Sequence, residues 1–193
     1  MPALLRRWPE LRVVIGGDGP ARAGLQAQVR ELGLADAVSL PGRVPEQAKS
    51  DLLGEAWLTV APSLAEGWGL TVLEAAALGT PAVASDVPGL RDSVRDGETG
   101  WLVPPSRGLA VALMNALDEL SDQARQRRAA GACVRWAARF SWDDSAERLA
   151  RVLLSEVRRH RAGLRSRRRP VDLATAAAWE PTDTVDVAGS GPC

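Results

Sequence analysis

The 193-residue chain is poor in cysteine, in lysine and in long apolar runs. Its two cysteines, Cys133 and Cys193, lie far apart without metal-ligand spacing, which argues against a disulfide framework and favours a reducing compartment. No segment approaches the roughly 20 apolar residues that a membrane-spanning helix requires. The segment from Met1 to Glu10 carries charges where a secretory leader would be apolar. We therefore predict a soluble, cytoplasmic protein.

Charge and aromatic content say little about partners. Acidic and basic residues number 24 each, and Lys49 is the only lysine among the basic ones. Tyrosine is absent and Phe140 is the only phenylalanine. A hydrophobic fraction of 46% and a charged fraction of 25% are typical of a soluble globular protein. A chain of this length can build one domain with its own core.

Short apolar runs alternate with helical patterns along residues 1–160. Strands are predicted at Leu11–Ile15, Val38–Leu40, Trp57–Ala61, Ala82–Ala84 and Trp101–Val103. Helices are predicted at Ala21–Leu32, from Pro45 to about Glu55, at Gly69–Leu78, from Ser106 to about Arg139 and from Trp142 to about Arg159. Repeated strand–helix units with apolar strands indicate a parallel sheet covered on both faces. The predicted fold class is α/β, with a doubly wound parallel sheet.

The alternation of predicted strands and helices ends at about residue 160, and we predict that residues 161–193 form a disordered tail. Its alanine, threonine, proline, glycine and scattered acids cannot bury enough apolar surface to offset the entropy of ordering. The junction Arg158–Arg169 holds seven arginines and His160 in twelve residues. It can be interpreted as a solvated helix end, as a contact with an anionic membrane or as a nucleic-acid patch.

The most specific stretch, Pro62–Glu74, follows the third strand and runs into a helix. Ligands of open α/β sheets bind at this carboxyl edge. Gly67 and Gly69 let a ligand approach the backbone, and the free amides and dipole of a helix start favour an anion. Glu66 and Glu74 bracket that start, and two carboxylates beside an anion site suit a ligand with both phosphates and hydroxyls.

Glu66 and Glu74, with seven residues between them, resemble the E-x7-E signature of retaining glycosyltransferases of family 4, which have the two-domain GT-B fold. Further motifs occur in the family's order: Gly16–Pro20, Gly42–Val44, Gly79–Asp86, Asp96–Pro104 and Phe140–Trp142. Several ordered motifs are a stronger signal than any one alone. The resemblance covers about residues 1–160 and is to the C-terminal, Rossmann-like domain that binds the nucleotide-sugar donor.

The resemblance implies a role for each carboxylate. Glu74 would accept hydrogen bonds from the ribose hydroxyls of a nucleotide-diphosphate sugar. Glu66 would hold hydroxyls of the donor sugar, with Gly67 and Trp68 near it. Trp68 stands where the family more often has phenylalanine. For two isolated glutamates, the simpler interpretation is a partner of the helix dipole and a solvated helix residue.

Other residues would complete the donor site. The backbone amides around Gly69 and Leu70 would meet the diphosphate, and Val44 would border the base. Gly17, in the turn after the first strand, would form a wall of the site. Lys49 and Arg43 are interpreted as solvated side chains rather than phosphate ligands. No cluster of metal-ligating side chains is present, so we expect no metal or other cofactor beyond the donor substrate.

Part of the family pattern is absent. The family's domain begins with a strand that bears a Gly-Arg pair and a helix with a Lys-Gly pair, whereas this chain opens with Ala3–Pro9, which resembles the end of that helix. In the strand order 3-2-1-4-5-6 the first strand is central. Without it, Leu11–Ile15 and Trp57–Ala61 must either pair directly or leave a gap. The last helix would expose an apolar face.

These observations predict a glycosyltransferase fragment with little activity alone, which acts with a separate N-terminal acceptor domain. The alternative is a non-catalytic module that binds nucleotide or a membrane surface. Many relatives act on lipid-linked acceptors, so the resemblance favours an anionic membrane over nucleic acid as the partner of Arg158–Arg169. That contact would place the protein at the inner face of the membrane.

Overall fold

The computed structural model describes residues 1–104 and 108–161. Ser106 and residues 162–193 of the predicted tail lie outside them, whereas Arg161, predicted as the first residue of the tail, is the last residue of a helix. The described strands are β1 (Val13–Gly16), β2 (Val38–Gly42), β3 (Thr59–Ala61), β4 (Ala82–Ser85) and β5 (Gly100–Val103). The described helices are α1 (Pro2–Arg7), α2 (Arg22–Glu31), α3 (Glu46–Glu55), α4 (Leu70–Ala77), α5 (Pro88–Ser93), α6 (Leu109–Leu120), α7 (Gln123–Ala137) and α8 (Trp142–Arg161). The predicted α/β class is confirmed.

The strands form two parallel ladders. β1 pairs with β2, with Val13 opposite Val38. β3, β4 and β5 form the second ladder, in which Ala82 pairs with Thr59 on one side and Gly100 on the other. Among the described residues no ladder joins β1 to β3. Of the two arrangements expected without the family's first strand, the structure therefore has the gap.

The core lies around β4, which is covered on both faces as predicted. Ala82 and Ala84 pack with α4 and α5 side chains on one face, whereas Val83 packs with β5 and α6 side chains on the other. All three side chains have 1% exposure or less. Because the chain alternates faces along a strand, burial on both faces requires the continuous apolar run seen here.

The β1–β2 ladder is less well covered. Val14 is 44% and Ile15 39% exposed, and the register shifts between Val14 and Gly16. A small cluster of Leu34, Ala37 and Val38 packs with Val13. This part of the fold therefore buries less apolar surface than the β4 region.

Several predicted boundaries need correction. β3 begins at Thr59, not Trp57, because Trp57 turns outward with 49% exposure. The helical region to about Arg139 is two helices, since the Asp122 carboxylate accepts hydrogen bonds from the amides of Ala124 and Arg125 and caps α7. Both hydrogen bonds lower the pKa of Asp122, and the bond from the Arg125 amide has the larger effect. The helix α5 was not predicted at all.

The helix α8 lies in a second compact unit that begins at Ala138. Its start is capped by the Ser141 hydroxyl, which accepts a hydrogen bond from the amide of Asp144. The expected exposed apolar face is present: Trp142 is 85% exposed, and exposed apolar residues follow at Leu149, Val152, Leu153, Leu154 and Val157. Within the described residues, no helix is long and apolar enough to cross a membrane.

Gly100 provides a test of the β4–β5 ladder. A β-carbon at Gly100 would lie 2.2 Å from the carbonyl oxygen of Ala82, so β5 would have to shift. We expect Gly100→Ala to lower the free energy of unfolding by about 1–3 kcal/mol, measured by urea denaturation. The control Gly24→Ala meets open space within α2 and should raise it by about 0.5–1 kcal/mol. Equal midpoints for the two variants would contradict this packing.

Candidate functional site

The loop between β3 and α4 carries Glu66 at the carboxyl edge of the three-stranded ladder. The Glu66 carboxylate accepts a hydrogen bond from the Gly67 amide at 3.1 Å and a longer one from the Ser63 hydroxyl at 3.5 Å. Glu66 and Gly67 are exposed, and Trp68 is half-buried. The carboxylate is thus oriented by its own loop but remains open to a ligand.

Gly69 caps α4 in a conformation that excludes other residues. Its φ of +75° lies in the left-handed region, and a β-carbon there would lie 2.7 Å from Leu90 Cδ2 and 2.8 Å from Ser93 Oγ. The Gly69 carbonyl accepts hydrogen bonds from the amides of Val72 and Leu73. The amide of the exposed Leu70 lies in the first turn, where helix amides lack intrahelical acceptors. The sharp turn at Gly69 therefore sets the direction of an anion-favouring helix start.

Gly89, which the sequence reasoning missed, holds this loop from the other side. A β-carbon at Gly89 would lie 2.2 Å from the carbonyl oxygen of Glu66 and 2.6 Å from the carbonyl carbon of Gly67. The start of α5 thus packs backbone against backbone on the Glu66 loop. The Asp86 carboxylate, at the end of β4, pairs with the Arg91 guanidinium of α5 and raises its pKa. Proline before a glycine just after a strand, as at Pro88, is the signal that could have revealed this helix start.

Glu74 points to α3, where it meets Lys49. The Lys49 ammonium lies 3.1 Å from both carboxylate oxygens and donates a hydrogen bond to Oε1. It also lies 2.8 Å from Glu46 Oε2. Hydrogen bonds to both carboxylates raise the pKa of Lys49, and the bond to Glu46 has the larger effect. The expectation of a solvated Lys49 is therefore wrong: its side chain is 28% exposed and bridges two carboxylates.

The turn after β1 lies against the loop after β2. Gly17 has a φ of +125°, and its amide donates a hydrogen bond of 2.7 Å to the carbonyl of Gly42. A β-carbon at Gly16 would lie 3.3 Å from Val44 Cγ2. The predicted wall at Gly17 and the predicted base contact at Val44 are thus neighbours.

Val44 also lines a cleft of about 400 Å³. The cleft lies between the loop after β2 and the helix α3, and its lining is Pro41, Arg43, Val44, Pro45, Ala48, Asp51, Leu52 and Glu55. The same helix carries Lys49, whose ammonium reaches Glu74. α3 therefore joins the Val44 side of the candidate site to the Glu74 side.

A buried threonine fixes the position of α3. The Thr80 hydroxyl donates a hydrogen bond of 2.6 Å to the carbonyl of Leu53, near the carboxyl end of α3. Thr80 is 3% exposed and lies two residues before β4 in the chain. Within the Gly79–Asp86 motif, Thr80 thus serves to pack α3 against the strand that follows. No group of three or more His, Cys, Asp or Glu side chains within residues 1–104 and 108–161 could hold a metal ion.

Most of the chain matches a known protein-family model. Residues 1–135 match the family model described as glycosyl transferases group 1. The chain belongs to this family. The family uses nucleotide-sugar donors, so the resemblance to its donor-binding domain is confirmed, although the role of each site residue stays a prediction.

Two curated relatives show the range of this glycosyltransferase family. The chain is 42% identical over 146 residues to D-inositol 3-phosphate glycosyltransferase from Thermobispora bispora, covering 74% of the chain and 33% of the relative. It is 34% identical over 151 residues to alpha-D-kanosaminyltransferase from Streptomyces kanamyceticus, covering 77% and 39%. The chain thus spans about a third of the length of these relatives.

A solved glycosyltransferase has the same fold. The pneumococcal O-GlcNAc transferase GtfA, solved in complex with UDP and GlcNAc, superposes with a TM-score of 0.68 at 22% identity. The match covers 79% of the chain and 31% of that protein. This glycosyltransferase-family chain therefore has the Rossmann-like fold of a GT-B domain.

The cap at Gly69 can be tested by substitution. Gly69→Ala would place a methyl group against Leu90 and Ser93 at a positive φ, so we expect it to lower the unfolding free energy by about 1–3 kcal/mol. Gly67→Ala meets no atom within 4 Å and is the matched control in the same loop. Urea denaturation of both variants gives the comparison. An unchanged midpoint for Gly69→Ala would mean that α4 does not start at this cap.

Proposed function

We propose that this chain is the donor-binding part of a retaining glycosyltransferase of family 4. One observation carries the proposal: Glu66, the helix start capped by Gly69, and Glu74 follow one another at the carboxyl edge of β3. A nucleotide-diphosphate sugar offers hydroxyls, phosphates and ribose hydroxyls in a similar succession. The site is therefore matched to this donor class by chemistry as well as by family.

In the proposed complex each group has one task. The exposed Glu66 carboxylate accepts hydrogen bonds from the donor sugar, beside Gly67 and Trp68. The amides at Gly69 and Leu70 meet the diphosphate, and Glu74 accepts hydrogen bonds from the ribose hydroxyls. The base lies in the cleft beside Val44, against the wall at Gly17.

The proposed reaction is glycosyl transfer with retention of the anomeric configuration. Negative charge grows on the departing diphosphate as the bond to the sugar breaks. Amides at the start of α4 already point in a fixed direction, so they stabilise this charge without reorganising.

We propose that the acceptor is bound by a separate N-terminal domain. Within residues 1–104 and 108–161, β1 pairs only with β2 and β3 only with β4, so both ladders have an edge that can take another strand. The curated relatives are about three times as long as the matched region.

The protein would act in the cytoplasm, and its Arg158–Arg169 segment, described only to Arg161, would contact an anionic membrane.

A second candidate function rests on α8. Its exposed apolar residues and the exposed Arg158 and Arg159 near its carboxyl end suit an amphipathic helix at an anionic lipid surface. In this case the chain would be a membrane-surface module. Binding to phosphatidylserine vesicles without nucleotide binding would favour it over the first proposal.

Calorimetry with UDP, GDP and ADP tests the donor site. We expect one nucleotide to bind saturably and Glu74→Ala to weaken it by about 10- to 100-fold, because a charged acceptor of two hydroxyl donors is lost. Glu147→Ala, on the exposed face of α8, is the control and should not change the affinity. Equal affinities for Glu74→Ala and the unsubstituted chain would remove Glu74 from the site.

We further expect little transfer by the chain alone. The purified chain should release no nucleoside diphosphate above background from UDP-, GDP- or ADP-glucose, because it spans about a third of the relatives' length and the acceptor is proposed to bind elsewhere. A chimera with the N-terminal half of the inositol-phosphate relative should restore release, and the same chimera with Glu74→Ala should not. Robust turnover by the chain alone would refute the need for a second domain.

A further inference from the structure

The only lysine of the chain lies between two glutamates from different helices. Lys49 and Glu46 are on α3, and Glu74 is on α4. The ammonium lies 2.8 Å from Glu46 Oε2 and 3.1 Å from both oxygens of Glu74. It therefore ties the proposed ribose-binding carboxylate to the helix that lines the Val44 cleft.

This pair is more enclosed than most ion pairs of the protein. The side chains of Lys49 and Glu74 are 28% and 33% exposed, whereas Arg7–Asp118 is 60% and 45% exposed. Glu74 Oε2 is buried and accepts no hydrogen bond, although the ammonium lies within 3.1 Å of it. A partly buried carboxylate is stabilised by a positive charge held close to it. Lys49 supplies that charge.

The geometry also limits other roles for Lys49. An ammonium has three donors, and here two carboxylates take up its immediate surroundings. It is thus already neutralised and poorly placed to compensate a diphosphate. A carboxylate has about four acceptor positions, so one bond from Lys49 leaves room for hydroxyl donors.

We infer that Lys49 is a positioning residue for Glu74: its ammonium holds the carboxylate in one orientation, so that ribose hydroxyls meet a prepared acceptor. This inference rests on the proposed function. The anchor is Glu46, which keeps the ammonium in place, and Thr80 fixes α3 through its hydrogen bond to Leu53. Because Lys49 already restricts the Glu74 side chain, that side chain loses less conformational entropy when nucleotide binds.

The test measures affinity for UDP, GDP and ADP, each beside its 2′,3′-dideoxy analogue, by calorimetry. Lys49→Met removes the charge at similar length, and we expect it to weaken binding of the preferred nucleotide about tenfold, within the range for coupled neighbours. Lys49→Arg should restore most of the affinity, because it keeps the charge. The dideoxy analogue should bind the unsubstituted chain and Lys49→Met alike.

A double-substitution cycle shows whether Lys49 acts through Glu74. In a Glu74→Gln background, Lys49→Met should cause no further loss. A similar loss for nucleotide and dideoxy analogue, an additive loss in the double variant, or tighter binding by Lys49→Met would each overturn the inference alone. Absence of nucleotide binding by the unsubstituted chain, or full affinity in Glu74→Gln, would overturn the proposed function and the inference with it.

Discussion

The pairing of β4 with strands on both sides is the interaction on which the candidate site depends. Its side chains are almost fully buried on both faces, so β4 fixes the helices that pack against it. Complete burial of one valine or leucine contributes about 1.5–3 kcal/mol. The loop with Glu66 follows one neighbour of β4, and Gly89 follows β4 itself. The two meet because their strands are adjacent.

Close backbone contact then shapes the site more than side-chain contact does. Gly69 and Gly89 occupy positions where a β-carbon would overlap neighbouring atoms. Gly89 brings the start of α5 against the Glu66 loop, and Gly69 brings the start of α4 against α5. A prearranged loop of this kind suits charge stabilisation, since donors that already point the right way do not need to reorganise.

The other half of the fold is held less firmly. β1 and β2 form their own ladder, and Val14 and Ile15 keep exposed surface. The link between the halves near the site comes from α3, through the Lys49–Glu74 ion pair and the hydrogen bond from Thr80. The candidate site thus extends from a tightly packed ladder to a more open one, and its two sides depend on different amounts of buried surface.

The amino-acid pattern by itself determined the α/β class, the five strands and the position of the Glu66–Glu74 element, because period and turn residues are local properties. The family resemblance further predicted that β1 and β3 lie on either side of a shared neighbour that is not among the predicted strands. Only the tertiary structure decided that a gap opens rather than a direct pairing. It also decided that Gly89 packs on Glu66 and that Lys49 pairs with two carboxylates. These contacts join residues 23 to 25 positions apart (Glu66 to Gly89, Lys49 to Glu74), and their distances depend on how the helices pack across the sheet, which no local pattern records.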